Sequence, residues 1–304
     1  MPTYLSQWRL WAWLPPCRCK NLTAVVGDEM FKVVKVLNNN GILAYDMNTR
    51  REVIFLGAGV GFGKRPGEVL ESVPEAKVYG LMNRRKEQPV IKVVNGIDPK
   101  ILEVTGQLLE MVEKQFGRID RNVLLPLADH IALTIKRMKS GKELPNPFTA
   151  DIRVLFSEEF QVAEEGAKLL ETVTDCHITE DEIGYITIHL HSAVSDDNVG
   201  QSLDLARLAR ECICLLEEIS GYRLKETSMG YSRLMSHIRY MLVRIRNGEK
   251  IPLDVEDYVK GKFSKAYDCA SVICRRMEQE LSMPVYQEEV GFLGLHIQRV
   301  WGDE

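Results

Sequence analysis

Four histidines form two pairs separated by one constant interval. His130 and His237 lie 107 residues apart, and so do His189 and His296. A neutral imidazole, with a pKa near ~6.5 and one free ring lone pair, can attack a phosphoryl donor at neutral pH without help from a metal. The local context favours such reactivity. His130 follows Asp129 and has Lys136 and Arg137 two turns further on, while His237 likewise precedes Arg244. His189 and His296 each end an apolar run, which places their rings near a surface seam. A single histidine is ordinarily a core or helix-surface residue, but four held in register within one chain argue for a shared task.

Other chemistries fit less well. His189 and His191 make an H-x-H pair, yet residues two apart on a helix point in different directions, so no shared metal is expected. The seven cysteines include the pairs Cys17/Cys19 and Cys212/Cys214, with Cys269 and Cys274 five apart, and they match no zinc-site spacing. They are read as buried reduced thiols. No G-x-S-x-G, H-E-x-x-H or cysteine–histidine signature occurs, so neither an enzyme nor a cofactor is expected. GAGVGFG (Gly57 to Gly63) fits a loose dinucleotide fingerprint, but it follows a hairpin-type strand and no long crossover helix comes after it. With Lys64 and Arg65 beside it, the loop suits the backbone of a nucleic acid better.

The elements that must position these groups fall into two kinds. FKVVKVLNNNGILAYD alternates β-branched residues with lysine, turns at Asn-Gly and resumes as a second strand. REVIFLGAGVGFGKR is a third strand running into the glycine loop, and KVYGLM a last short one. Such a thin sheet has little core of its own, and dimerisation would remedy that. From Pro99 the pattern becomes helical, with apolar residues at three- and four-residue intervals. DHIALTIKRMKSGKELP returns as SHIRYMLVRIRNGEKIP, and EIGYITIHL returns as EVGFLGLHI, at the same 107-residue interval. Arg137/Arg244, Gly141/Gly248, Pro145/Pro252, Phe160/Tyr267 and Glu171/Glu278 share it. A tandem duplication of about a hundred residues is expected, joined by the polar stretch VSDDNVGQS. The expected boundaries are an extension over 1–29, a strand module over 30–82, a linker over 83–97, and helical repeats over 98–199 and 200–304.

Charge follows the same division. The chain carries a net −4, but residues 31–88 hold ten Lys/Arg against six Asp/Glu. A small basic module before a large acidic body predicts that only the front end touches a polyanion. The longest apolar runs fall well short of the ~18–20 residues needed to cross a membrane. WRLWAWLPPC has too short an apolar core for a secretory signal. A cytoplasmic protein without membrane insertion is expected.

FKVVKVLNNN, then GAGVGFGKR, then two histidine-bearing repeats resemble the BglG/SacY/LicT family of transcription antiterminators. The resemblance covers residues 30–304. LADHIALTIKR and EIGYITIHLHSA are most similar to the glucose-type members, named GlcT. The fold class it implies is multidomain: a small antiparallel β-sheet RNA-binding (CAT) domain followed by two all-α helical-bundle PTS regulation domains (PRDs). The implied function is to stabilise a hairpin in the leader RNA of a PTS sugar-transport operon, as a homodimer, so that a terminator does not form. The resemblance implies RNA contacts at Lys35, Asn38, Asn40, Gly57, Gly59 and Phe62, with Lys64 and Arg65 as further candidates. It implies phosphorylation at His130, His189, His237 and His296, with the sugar transporter EII and the phosphocarrier HPr as donors. The sugar-specific transporter would inactivate through the first regulation domain and HPr would act on the second. Two departures stand out. Ala58 occupies a position usually taken by Lys or Arg, which removes a contact. Residues 1–29 have no family counterpart and are expected to be disordered or to be upstream sequence translated from a misassigned start. A DNA-binding activator with the same regulation domains is the alternative, as is an enzyme passing phosphate onward; the β-rich front argues against the first and the basic module against the second.

Overall fold

The computed structural model describes residues 30–73, 76–80, 90–252 and 254–302. The extension 1–29 and residues 83–89 of the expected linker lie outside the described residues. Residues at the other end of that linker form a short helix, α1 (Val90–Asn95).

The sheet comprises β1 (Phe31–Asn38), β2 (Gly41–Asp46), β3 (Arg51–Leu56), β4 (Val69–Leu70) and β5 (Lys77–Gly80), in the antiparallel order β4-β1-β2-β3-β5. Asn39 and Asn40 make the tight turn between β1 and β2, and the Asp46 carboxylate holds the next turn by accepting from the amides of Asn48 and Thr49. The alternation in β1 is interrupted twice. Register shifts between Val33 and Lys35, and between Val36 and Asn38, insert extra residues opposite β2. As a result Lys35 pairs with Leu43 rather than Ile42, and its side chain moves to the other face of the sheet.

Both faces of the sheet are apolar. Phe31, Val33, Ile42, Ala44, Val53 and Phe55 form one small core with Val60 and Leu70. Leu43, Ile54, Leu56 and Tyr79 on the other face join the core of the first helical repeat. Within this chain, helices of its own body therefore relieve the shortage of sheet core.

That body is two copies of one helical unit. The first contains α2 (Pro99–Phe116), α3 (Leu124–Lys139), α4 (Thr149–Leu155), α5 (Ser157–Thr174) and α6 (Glu180–Val194), with a 3-10 turn at Arg121–Val123. The second contains α7 (Val199–Ser220), α8 (Met229–Asn247), α9 (Glu256–Lys262), α10 (Ser264–Leu281) and α11 (Gln287–Gly302). The bounds of α4 and α5 recur in α9 and α10 at the 107-residue interval. Even the left-handed residues that end α5 and α10 correspond, Asp175 and Ser282, each with φ 51°.

Local signals set the helix ends. Asp98 accepts from the Lys100 amide ahead of Pro99, which opens α2. Asn198 and Gln201 form a reciprocal capping box at the start of α7. Gly248 closes α8 in the left-handed conformation. The apolar stripes then bury Leu102, Leu108, Leu124, Ile131, Phe160 and their neighbours completely or nearly so. Each such side chain contributes about 1.5–3 kcal/mol relative to exposure. The two repeats are not separate bodies: Ile152, Leu155 and Phe156 of the α4 region enter the core of the second repeat, beside Tyr231 and Leu234.

Candidate imidazole and nucleic-acid sites

Helices α3 and α6 bring His130 and His189 together, with ring centroids 4.9 Å apart. The Tyr185 ring lies 6.0 Å from that of His130. Beneath them sits Glu182, wholly buried, whose carboxylate pairs with Arg137 and accepts from Thr134 Oγ1 at 2.9 Å. His130 Nε2 is 3.8 Å from the same carboxylate, beyond hydrogen-bond reach but within strong electrostatic range. Burial drives the His189 pKa down to about 3, with the neighbouring His130 adding to the effect. Burial lowers His130 too, while Glu182 opposes the shift. His130 Nε2 and His189 Nδ1 are buried without a hydrogen-bond partner, so both rings stand neutral near pH 7.

The second repeat builds the same arrangement with different surroundings. His237 and His296 stack at 4.0 Å with an interplanar angle of 18°, and Phe292 lies 5.1 and 5.4 Å from the two rings. Arg244 donates from Nε and Nη2 to the two oxygens of the buried Glu289, at 2.7 and 2.8 Å. Burial, then His296, then Arg244 push His237 down to about 2. His296 is lowered by burial and by Arg299 and Arg244. The repeats differ where Thr134 and Tyr185 give way to Met241 and Phe292 at the corresponding positions. The second imidazole pair therefore sits among fewer polar groups.

Sequence reasoning brought out the imidazoles and the arginines but missed Glu182 and Glu289 as the groups that hold Arg137 and Arg244. The signal was present, because EIGY and EVGF open with glutamate at the repeat interval. The separation of the H-x-H pair is as expected. His191 turns away from His189 to meet Glu159 Oε1 at 2.9 Å, with the Phe156 ring 4.1 Å off. Among the described residues no group of three or more His, Cys, Asp or Glu could hold a metal ion. Four cysteines, Cys176, Cys212, Cys269 and Cys274, are buried free thiols, but Cys214 is exposed on α7, because it falls on the solvent side of a stripe that buries Cys212. Cys17 and Cys19 lie outside the described residues.

The residues carried over as RNA contacts divide into free and engaged groups. Phe62 is 75% exposed at the tip of the loop after β3, flanked by exposed Ala58, Gly59 and Arg65. Gly59 and Gly63 adopt φ of 72° and 70°, which L side chains rarely do. The loop folds onto the β1–β2 turn: Gly57 N donates to the Asn40 carbonyl, Gly61 N to that of Asn39, and Gly59 N to Asn40 Oδ1. A Cβ on Gly61 would stand 2.0 Å from the Asn38 carbonyl oxygen. Asn38 Oδ1 accepts from the Asn40 amide, so it shapes the turn. Lys64 pairs with Glu68 at 2.9 Å. Lys35 Nζ donates to Asn95 Oδ1 at 2.7 Å, and Asn40 Nδ2 donates to Glu103 Oε1 at 2.5 Å. Lys35 is thus tied to α1, and Asn40 to α2 of the first helical repeat. No described helix is long and apolar enough to cross a membrane.

A small basic sheet displaying a glycine loop, joined to a duplicated helical body with paired imidazoles, is the architecture of a two-part regulator. Comparison with known proteins gives the family. The model of the CAT RNA binding domain matches residues 31–88, and that of the PRD domain matches residues 106–193 and 210–300. The GlcA/glcB genes antiterminator of Staphylococcus carnosus (strain TM300) is 30% identical over 271 residues, spanning 88% of this chain and 94% of the relative. Transcription antiterminator LicT of Bacillus subtilis (strain 168) is 24% identical over 273 residues, 88% of this chain and 98% of the relative. A crystal structure of GlcT CAT-PRDI superposes with a TM-score of 0.46 at 30% identity, over 55% of this chain and 99% of that one. The chain belongs to the family of transcription antiterminators built from a CAT RNA binding domain and PRD domains.

Proposed function

We propose that this chain is a cytoplasmic RNA-binding antiterminator that stabilises a leader-RNA hairpin of a PTS sugar-transport operon and is not an enzyme. The observation that carries this reading is the exposed Gly57–Arg65 loop on a basic sheet, fused to two imidazole-bearing repeats. Phe62 stacks on an unpaired base, Gly57 and Gly59 let backbone approach the RNA, and Arg65, Lys64 and Lys35 meet phosphates. Asn38 and Asn40 form the floor of the site, where on RNA binding the Asn40 side-chain amide exchanges Glu103 for a base edge. Family membership favours RNA over duplex DNA as the partner.

His130, His189, His237 and His296 are the phosphorylation sites, with EII and HPr as donors. A ring nitrogen forms a bond to phosphorus as the donor's own bond to phosphorus breaks. The added charge of close to −2 enters a seam where Arg137 or Arg244 already serves a buried carboxylate. The phosphoryl group and the carboxylate then compete for one guanidinium, and the seam must rearrange. A homodimer that pairs two sheets carries that rearrangement to the RNA.

The test is a terminator-readthrough reporter placed behind the leader of the gene adjoining this chain's own, with gel shifts on the same RNA. Specific retention of the hairpin, and readthrough that stops responding to sugar when all four histidines become alanine, are the expected results. Tight binding to promoter duplex with none to the hairpin would select the DNA-binding alternative.

A further inference from the structure

We propose that α2 of the first helical repeat competes with RNA for the sheet, so that the resting protein is partly self-occupied at its own recognition site. This inference rests on the reading of Lys35 and Asn40 as RNA contacts. The bulge in β1 turns Lys35 away from the small sheet core and towards the helices, where Asn95 Oδ1 takes its ammonium. The side-chain amide of Asn40, in the β1–β2 turn, is taken by the Glu103 carboxylate. Asn40 Oδ1 remains on the Gly59 amide, so the turn keeps its shape whichever acceptor Nδ2 meets.

A carboxylate oxygen offers an amide donor the same kind of acceptor as a phosphate oxygen or a base carbonyl, with a full charge nearby. Glu103 thus stands where an RNA acceptor would stand. The contact is not isolated. Lys77 of β5 lies 3.6 Å from Glu110 and 3.2 Å from Glu113, further along the same helix. From Glu103 to Glu113 the helix rises about 15 Å, so α2 presents a row of negative charge to one edge of a basic module. Between these polar contacts Leu56 packs on Gly106, where a Cβ would come within 2.8 Å, and Tyr79 Oη donates to the Gly106 carbonyl at 3.5 Å. Close packing at Gly106 brings the helix near enough for Glu103 to reach the turn. The same helix shares its core with α3, which carries His130. A shift of α2 on RNA binding would therefore be felt by the helix that carries His130.

The experiment measures affinity for the leader hairpin of the adjoining gene, at one fixed salt concentration, for the full chain and for Glu103→Gln, Asn95→Ala and the double variant. Each single variant is expected to bind about threefold to tenfold more tightly, and the double variant more tightly than either. Unchanged or weaker binding by all three, with the parent chain binding the hairpin, overturns the inference and leaves the RNA reading intact. Failure of every protein, parent included, to retain the hairpin overturns that reading and this inference with it. Should Glu103→Gln fail to fold by far-ultraviolet dichroism, Glu103→Asp withdraws the carboxylate by one methylene and is held to the same criterion.

Discussion

The buried imidazoles make stability depend on pH in a direction their environment dictates. In an unfolded chain a histidine binds a proton below about pH 6.5. Folded His189 stays neutral to about pH 3 and His237 to about pH 2. The unfolded state therefore holds more protons across that window, and stability present above pH 6.5 is lost as pH falls. Each ring contributes ~1.4 kcal/mol per pH unit, or about 2 kcal/mol between pH 6.5 and 5. Urea unfolding of His237→Asn should accordingly show a smaller loss over that interval than the parent, by about 2 kcal/mol. An equal loss in both would mean that the ring is not held neutral by burial. The arginines beside these rings matter for a different reason. Arg137→Met leaves the Glu182 carboxylate buried with only Thr134 to serve it. A loss of ~3–5 kcal/mol is expected, and most of it should return in Arg137→Met/Glu182→Leu. If the double variant is no more stable than the single one, the pair is not the unit inferred here.

At the scale of elements, the sheet and its loop depend on contacts that tolerate no side chain. Gly61 lies against the Asn38 carbonyl, so Gly61→Ala must push the glycine loop off the β1–β2 turn. The expected result is a loss of roughly 1–3 kcal/mol in the sheet and a clear weakening of hairpin binding, with the helical dichroism kept. Retained affinity would place RNA recognition elsewhere than this turn and loop. The bulges in β1 work at the same scale. They re-aim Lys35 without altering the apolar side chains that fill the small core, so one strand serves two neighbours on opposite faces.

The whole molecule is held as one body by polar pairs as well as by shared core. Asp151 of α4 is almost wholly buried, and burial raises its pKa although the hydrogen bond from Tyr231 Oη opposes the shift. Arg210 lies 3.8 Å from the same carboxylate and 2.9 Å from Glu226. On the other side of the junction Arg246 reaches both oxygens of Asp197. Tyr231→Phe removes one partner of a buried carboxyl and should lower stability by about 1–3 kcal/mol. The second repeat should then unfold earlier than the first in hydrogen exchange or thermal scans. A single unchanged transition would show that the apolar junction alone couples the repeats. Such coupling gives a charge placed in either seam a route to the rest of the chain.

Periodicity, turn residues and the 107-residue interval were enough to read a short-stranded front, a helical body and its duplication, because these signals live within a few residues of one another or in direct comparison of two copies. The family motifs named the histidines for the same reason. Helix pairs α3/α6 and α8/α11 could not be derived from spacing alone, since what brings His130 to His189 is the packing of residues some sixty positions apart. The buried glutamates were visible as letters but not as partners of Arg137 and Arg244. Dimerisation was expected for a thin sheet, but that one face of it lies on α2 of the same chain is something pattern alone does not tell. The residue types and their order determined which groups can carry charge and which imidazoles and loop residues are candidates for phosphate and RNA. Only tertiary structure decided which of them face each other, because burial, a bulge in one strand and the close approach at Gly106 are properties of the packed chain and not of any segment within it.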